Sequence, residues 1–176
     1  MITYKSEEDF KNMSKAGSIV ASIHKELEYA SIPGTKLEDL NNLAEEIIKK
    51  SNSVSSFLNY RGFPSYICAS PNDVIVHGIP VNYIVEEGDV LSIDVGVSVN
   101  GFHADAALTY GIGKISKENQ ALIQTTKKAL YEGIKLVSNG QKIGTIGNKI
   151  EKIGKNNSYG VVREYVGHGI GLEMHE

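Results

Sequence analysis

The sequence predicts an α+β fold with helices flanking an antiparallel sheet, and three observations point there. Two stretches of helical spacing open the chain, a hairpin pattern fills its middle, and two further helical stretches precede a last extended run. Helices and strands grouped in blocks argue for α+β rather than a regular βαβ alternation.

The first helix begins after Ser6, an N-cap residue followed by Glu7, Glu8 and Asp9 at the positive end of the helix dipole. Phe10, Met13, Ala16, Val20, Ile23 and Leu27 then recur at helical spacing, and Pro33-Gly34 stops the element. His24 falls inside this helix and reads as a surface or boundary residue. Thr35 and Glu38 have capping-box spacing for a second helix, whose stripe is Leu37, Leu40, Leu43, Ala44 and Ile47. Val74, Ile75 and Val76 form a short apolar run that predicts a strand ending at His77-Gly78. Leu91 to Val99 and Phe102 to Tyr110 predict two strands around Asn100-Gly101, a strong short-range hairpin signal. Ser116 caps a third helix carrying Leu122, Ile123, Leu130, Ile134 and Val137, closed by Asn139-Gly140. A fourth carries Ile146, Ile150 and Ile153 and breaks at Asn156-Asn157. Val161 to Val166 predicts a strand leading into Gly167-His168-Gly169-Ile170-Gly171.

The 176 residues are the length of one domain, and 41% hydrophobic content is enough to build its core. A net charge of -3 gives no basic footprint for nucleic acid. No apolar run approaches the roughly 20 residues of a membrane helix, so no membrane partner is expected. The polar, acidic N-terminus does not resemble a secretory signal. Cys68 is the single cysteine, which excludes an intrachain disulfide and a cysteine-rich zinc site. A cytoplasmic location is the expectation.

The hairpin makes a chemical statement. With a two-residue turn, Val99 faces Phe102, Gly96 faces Asp105 and Asp94 faces Ala107. One face then carries Ile93, Val95, Val97, Val99, Phe102, Ala104, Ala106 and Leu108, all apolar. The other carries Asp94 and Asp105 as diagonal neighbours, with Cβ atoms at most roughly 7–8 Å apart. Gly96 and Ala107 leave open space around them. Close carboxylates share a proton, bind divalent cations, or simply form a solvated acidic face. Oxygen ligands suit Mn, Mg or Ca, and added imidazole shifts the preference toward Fe, Co or Zn. Of the histidines, His103 shares the acid face, His77 sits at the end of an apolar run, His168 is flanked by glycines and His175 follows seven residues on. The glycine-rich run lacks the Lys-Ser/Thr of a P-loop.

Four stretches together resemble a known family. They are Tyr60-Arg61-Gly62-Phe63-Pro64 with Cys68; Asn72 to Pro80 ending His77-Gly78-Ile79-Pro80; Asp94 with Gly101-Phe102-His103-Ala104-Asp105; and Val162 to Gly171 through His175-Glu176. The chain resembles type I methionine aminopeptidases, metallopeptidases of the pita-bread fold, over essentially its whole length. The resemblance implies hydrolytic removal of the initiator methionine from nascent chains by a metal-bridging water. It implies two divalent metal ions (Co, Mn, Fe or Zn), with Asp94, Asp105 and His168 among their ligands. His77 and His175 are implied as catalytic, substrate-contacting residues, on the nitrogen and carbonyl sides of the scissile bond. Tyr60, Phe63, Cys68, Phe57 and Met174 are implied to line the methionine pocket. At two of these positions the family more often has a small residue (here Phe57) and an aromatic (here Met174).

The family's domain continues past the equivalent of Glu176, and its two glutamate ligands lie there. Residues 1–176 are therefore expected to form a single catalytic domain lacking its C-terminal portion, with the second half of the fold incomplete and activity alone in question. Glu176 matches the motif's His-Glu dipeptide and is not assigned as a ligand. The resemblance further implies a monomer working near the ribosome, with no nucleic-acid partner of its own. The alternatives are an X-Pro aminopeptidase or dipeptidase of the same fold and a non-catalytic pita-bread binding module.

Overall fold

The computed structural model describes residues 3–176. Its sheet is built on the hairpin of β3 (Val90–Val99) and β4 (Phe102–Gly111), antiparallel over their full length. The register is the expected one, with Val99 opposite Phe102, Gly96 opposite Asp105 and Asp94 opposite Ala107. Asn100 at φ 50° and Gly101 at φ 84° give both turn residues the positive φ of a type I′ turn, whose twist matches that of the strands. Because β4 occupies one edge of β3 throughout, β1 (Val54–Ser55) and β2 (Ile67–Pro71) share the other edge. β1 pairs at Val97–Ser98 and β2 from Leu91 to Val95.

Two helices cover the apolar face. α1 (Glu7–Ala30) starts with a full capping box, in which Ser6 and Asp9 bond each other's backbone N–H. It buries Ala16, Val20, Ile23 and Leu27 against Leu91, Ile93, Val95 and Val97 of β3. Phe10 leaves the expected stripe and is 58% exposed, one turn short of the sheet. α2 (Leu37–Lys50) buries Leu37, Leu40, Ala44 and Ile48 in the same core. The expected capping box at its start is absent. Lys36 is the N-cap, Thr35 donates to the Ala30 carbonyl, and Glu38 accepts from the Asn82 N–H instead. These two side chains serve the neighbouring loops, which satisfies the same kind of orphan polar group by other means.

Two expected strands are loops. Val74, Ile75 and Val76 have no strand partner, and Ile75 is 67% exposed. The strand of this region is β2, whose Ile67 and Ala69 enter the core while Cys68 and Ser70 face the other way. Val161 to Val166 also remains outside the sheet, with Val166 80% exposed. An apolar run becomes a strand only where a partner edge takes its backbone groups. Among the described residues neither run has one.

The chain forms two compact units. One comprises the chain up to Ile115 together with His168–Glu176, and the other is Ser116–Gly167. In the second, α3 (Lys117–Ile134), capped by Ser116, packs on α4 (Ile143–Asn156). Gly133 allows the close approach, since a Cβ there would lie 3.2 Å from Ile150. No helix is long and apolar enough to cross a membrane.

Candidate active site

The face of β3 and β4 turned away from α1 and α2 carries Asp94, Gly96, Ser98, His103 and Asp105. Alternation along the strands puts Cys68 of β2 directly opposite Asp94 on this face. Gly96 is not an open space, as the bare pattern suggests. The Phe57 ring covers it, and a Cβ on Gly96 would lie 2.6 Å from that ring. Phe57, Cys68 and Met174 form a second buried apolar cluster, distinct from the main core, with Phe63 packed against it. Phe57, Phe63, Cys68 and Met174 thus come together, and Tyr60 stands nearby, its hydroxyl 3.0 Å from His175 Nδ1.

The glycine-rich run folds back as a loop over the same face. Gly169 and Glu176 exchange two backbone hydrogen bonds, and the His103 N–H donates to the Gly171 carbonyl. Glu176 is occupied in holding this loop. Its carboxylate accepts from the Leu172 N–H and from Thr3, and pairs with Lys5. These donors hold its carboxyl down at about 2. The loop brings His168 and His175 together with ring centroids 4.3 Å apart, and His168 Nε2 lies 3.6 Å from Asp105 Oδ2. His168 Nδ1 lies 2.9 Å from the Gly169 carbonyl, which can only accept. Nδ1 therefore donates to it, and Nε2 is the nitrogen that faces Asp105.

His77 arrives from the loop after β2. Ala69 N–H donates to the Gly78 carbonyl, and Gly78 N–H donates to Ser70 Oγ. Gly78 is needed for this approach, because a Cβ there would sit 2.2 Å from the Ala69 carbonyl oxygen. His77 itself has φ 59°, a left-handed conformation unusual for a side-chain-bearing residue and frequent at functional sites.

The electrostatics tie these residues into one site. Burial pushes the Asp94 carboxyl up to about 6, the Asp105 charge adds to it, and His77 and His168 pull it partly back. His175 is lowered by burial and then by His168, against Asp105, with Arg61 and His77 also acting on it. Burial pushes the Cys68 thiol up to about 12, helped by Asp94. His103 is lowered by burial, and its Nδ1 lies 2.8 Å from Ser56 Oγ.

Among the described residues no group of three or more His, Cys, Asp or Glu side chains is drawn close enough to hold a metal ion as they stand. The donor chemistry nevertheless fits a divalent cation. Two carboxylates share a face, their mutual repulsion is only partly relieved by protein neighbours, and an imidazole nitrogen faces one of them.

One buried polar group went unread in the sequence. His24 is 3% exposed inside the main core, not at a boundary. The signal was available, since His24 continues the stripe at four residues from Val20 and three from Leu27.

Residues 11–176 match metallopeptidase family M24. The chain is 44% identical over 177 residues to a methionine aminopeptidase of Clostridium acetobutylicum. It is 40% identical over 176 residues to methionine aminopeptidase 1 of Bacillus subtilis. Both alignments cover 100% of this chain and 71% of the relative. The crystal structure of a methionine aminopeptidase from Thermotoga maritima superposes with a TM-score of 0.98 at 34% identity, again over 100% of this chain and 71% of that one. The antiparallel sheet with its flanking helices is the pita-bread architecture of that enzyme, and this chain belongs to metallopeptidase family M24, among its methionine aminopeptidases.

Proposed function

We propose that residues 1–176 belong to one catalytic domain and carry part of the machinery for metal-dependent removal of the N-terminal methionine from newly made proteins. The observation that carries this reading is the convergence of Asp94, Asp105, His168, His175 and His77 beside the apolar cluster of Phe57, Phe63, Cys68 and Met174. The proposed ligands stand next to an apolar cluster of the right character for a thioether side chain.

We assign Asp94, Asp105 and His168 as ligands for two divalent ions drawn from Co, Mn, Fe and Zn. Such ions supply Lewis acidity, which makes water nucleophilic near neutral pH and polarises the scissile carbonyl. The chain's own residues orient the ligands and the substrate. His168 keeps its Nε2 lone pair available because Gly169 holds the Nδ1 proton. The Tyr60 hydroxyl lies 3.0 Å from His175 Nδ1, and with it donating there Nε2–H becomes the donor toward the carbonyl oxygen as charge develops. His77, fixed by the contact of Gly78 with β2, meets the nitrogen side of the bond. Phe57, Phe63, Cys68 and Met174, with Tyr60 at the rim, receive the methionine side chain. Met174 adapts to its shape as an unbranched residue, and Phe57 sets the depth.

Release of methionine from Met-Gly-Met tests the assignment. The chain is prepared metal-free and then given Co(II), Mn(II) or Fe(II). Turnover should require metal and fall to background in Asp94→Asn. Metal-independent release, or full activity in Asp94→Asn, would remove the reading. Cytoplasmic action on nascent chains near the ribosome, as a monomer, completes the proposal.

A further inference from the structure

The mechanism leaves one buried titratable group unused. His24 is 3% exposed at the contact of α1 with β4, where packing alone requires no polar ring. An imidazole in such a place costs free energy unless both nitrogens find partners. Here both do, and both lead to β4. Nε2 is 2.7 Å from the Ala106 carbonyl oxygen, and Nδ1 is 2.7 Å from the Tyr110 hydroxyl. A carbonyl only accepts, so Nε2 carries a proton. Burial disfavours the charged ring and lowers its pKa, so Nδ1 is the lone-pair nitrogen and the Tyr110 hydroxyl donates to it. The His24 carbonyl, 3.1 Å from the Tyr110 oxygen, accepts from the same hydroxyl, whose one hydrogen is shared between ring and helix. One side chain thus joins the C-terminal half of α1 to two points of β4, five residues before its end and one before.

The first of these points is adjacent to Asp105. We infer that His24 is a positioning residue that fixes β4 at Ala106 and thereby sets the place of the Asp105 carboxylate. This inference rests on the assignment of Asp105 as a metal ligand. Packing of α1 against the sheet sets the distance between helix and strand. The hydrogen bond to Ala106 sets where along the helix the strand stands. A leucine at position 24 would keep the first and lose the second.

The test uses the full chain and four variants: His24→Leu, His24→Gln, Tyr110→Phe and Asp105→Asn. Mn(II) affinity is measured by calorimetry, and amide hydrogen exchange is followed in the metal-free protein. His24→Leu should weaken Mn(II) binding about 10–100-fold, as loss of a ligand-orienting partner does. His24→Gln, which keeps an N–H donor, should recover most of that loss. Tyr110→Phe should fall between them. Exchange at Ala104 to Ala107 should rise at least about tenfold in His24→Leu while Ile67 to Ala69 stay protected, a selectivity that loss of global stability does not produce. Unchanged Mn(II) affinity in folded His24→Leu, where Asp105→Asn has lost it, overturns the inference. So does a uniform rise in exchange with no recovery in His24→Gln. Unchanged affinity in Asp105→Asn strikes the ligand assignment instead, and exchange in the metal-free chain still decides whether His24 holds the strand. Should the leucine variant fail to fold, the imidazole nitrogen shifts of the wild type decide. An Nε2–H tautomer is required, and an Nδ1–H tautomer overturns the inference.

Discussion

Asp94 is the residue on which the site's energetics turn. Burial raises its carboxyl to about 6, so the folded chain holds a proton there that the unfolded chain has already released. Between the ordinary carboxylate range and pH 6 the native state binds more protons than the unfolded one. Stability therefore falls as pH rises through that window and stays reduced above it. Asp94→Asn removes this penalty. In EDTA at pH 7.5 the variant should be more stable than the wild type by up to about 2–3 kcal/mol, the worth of a shift of roughly two units at a largely buried site. The gap should narrow as pH approaches 5. Urea unfolding at the two pH values measures it, and a variant less stable than the wild type at pH 7.5 would contradict the account. The protein thus keeps a destabilising charge where its proposed chemistry needs one.

Among the elements, β2 and the loop that follows it show how the backbone delivers a side chain. Gly78 lies against the Ala69 carbonyl with no room for a Cβ, and the contact is with main chain rather than a side chain that swings away. Gly78→Ala should cost about 1–3 kcal/mol, the usual toll of overpacking, and shift His77 with its loop. The expected result is a loss in kcat larger than the change in KM for Met-Gly-Met, and equal kinetics to wild type would count against the placement of His77. This element was illegible beforehand because its neighbours compete for the same reading. Val74 to Val76 is the more apolar run, yet Ile67 to Pro71 pairs with β3. Periodicity records apolar content and says nothing about which edge is free. The hairpin was legible down to its register, because Asn100-Gly101 fixes the turn and the alternation fixes the face. His77, His168 and His175 were legible only through motif resemblance. They come from two loops, the one after β2 and the glycine-rich one, and nothing in spacing brings those two together.

At the scale of the whole molecule, ligand binding and folding share one free energy. Donors that repel one another in the metal-free chain should be stabilised by the ion they bind. At free Mn(II) a hundredfold above its Kd, the wild type should gain about 2.7 kcal/mol. Asp94→Asn should gain far less at the same concentration. Calorimetric melting with and without Mn(II) measures both, and equal gains would place the ion elsewhere. The α+β class, all four helices and the hairpin were readable from the sequence because each is encoded locally by caps, stripes and a turn. That Asp94 and Asp105 share one face followed from the hairpin alone. The enclosure of the site by Phe57 over Gly96, and the lashing of the glycine-rich loop to Lys5 through Glu176, are long-range contacts with no local signature. The two-residue turn at Asn100-Gly101 has a consequence for descent. Directly opposed residues share a face, and Asp94 and Asp105 do so because Gly96 stands opposite Asp105. A residue inserted within either strand, between its carboxylate and the turn, would send that carboxylate into the core, whereas one inserted at the turn only lengthens the loop. Among chains that keep this chemistry, length should vary at the turn and not within the strands beside it.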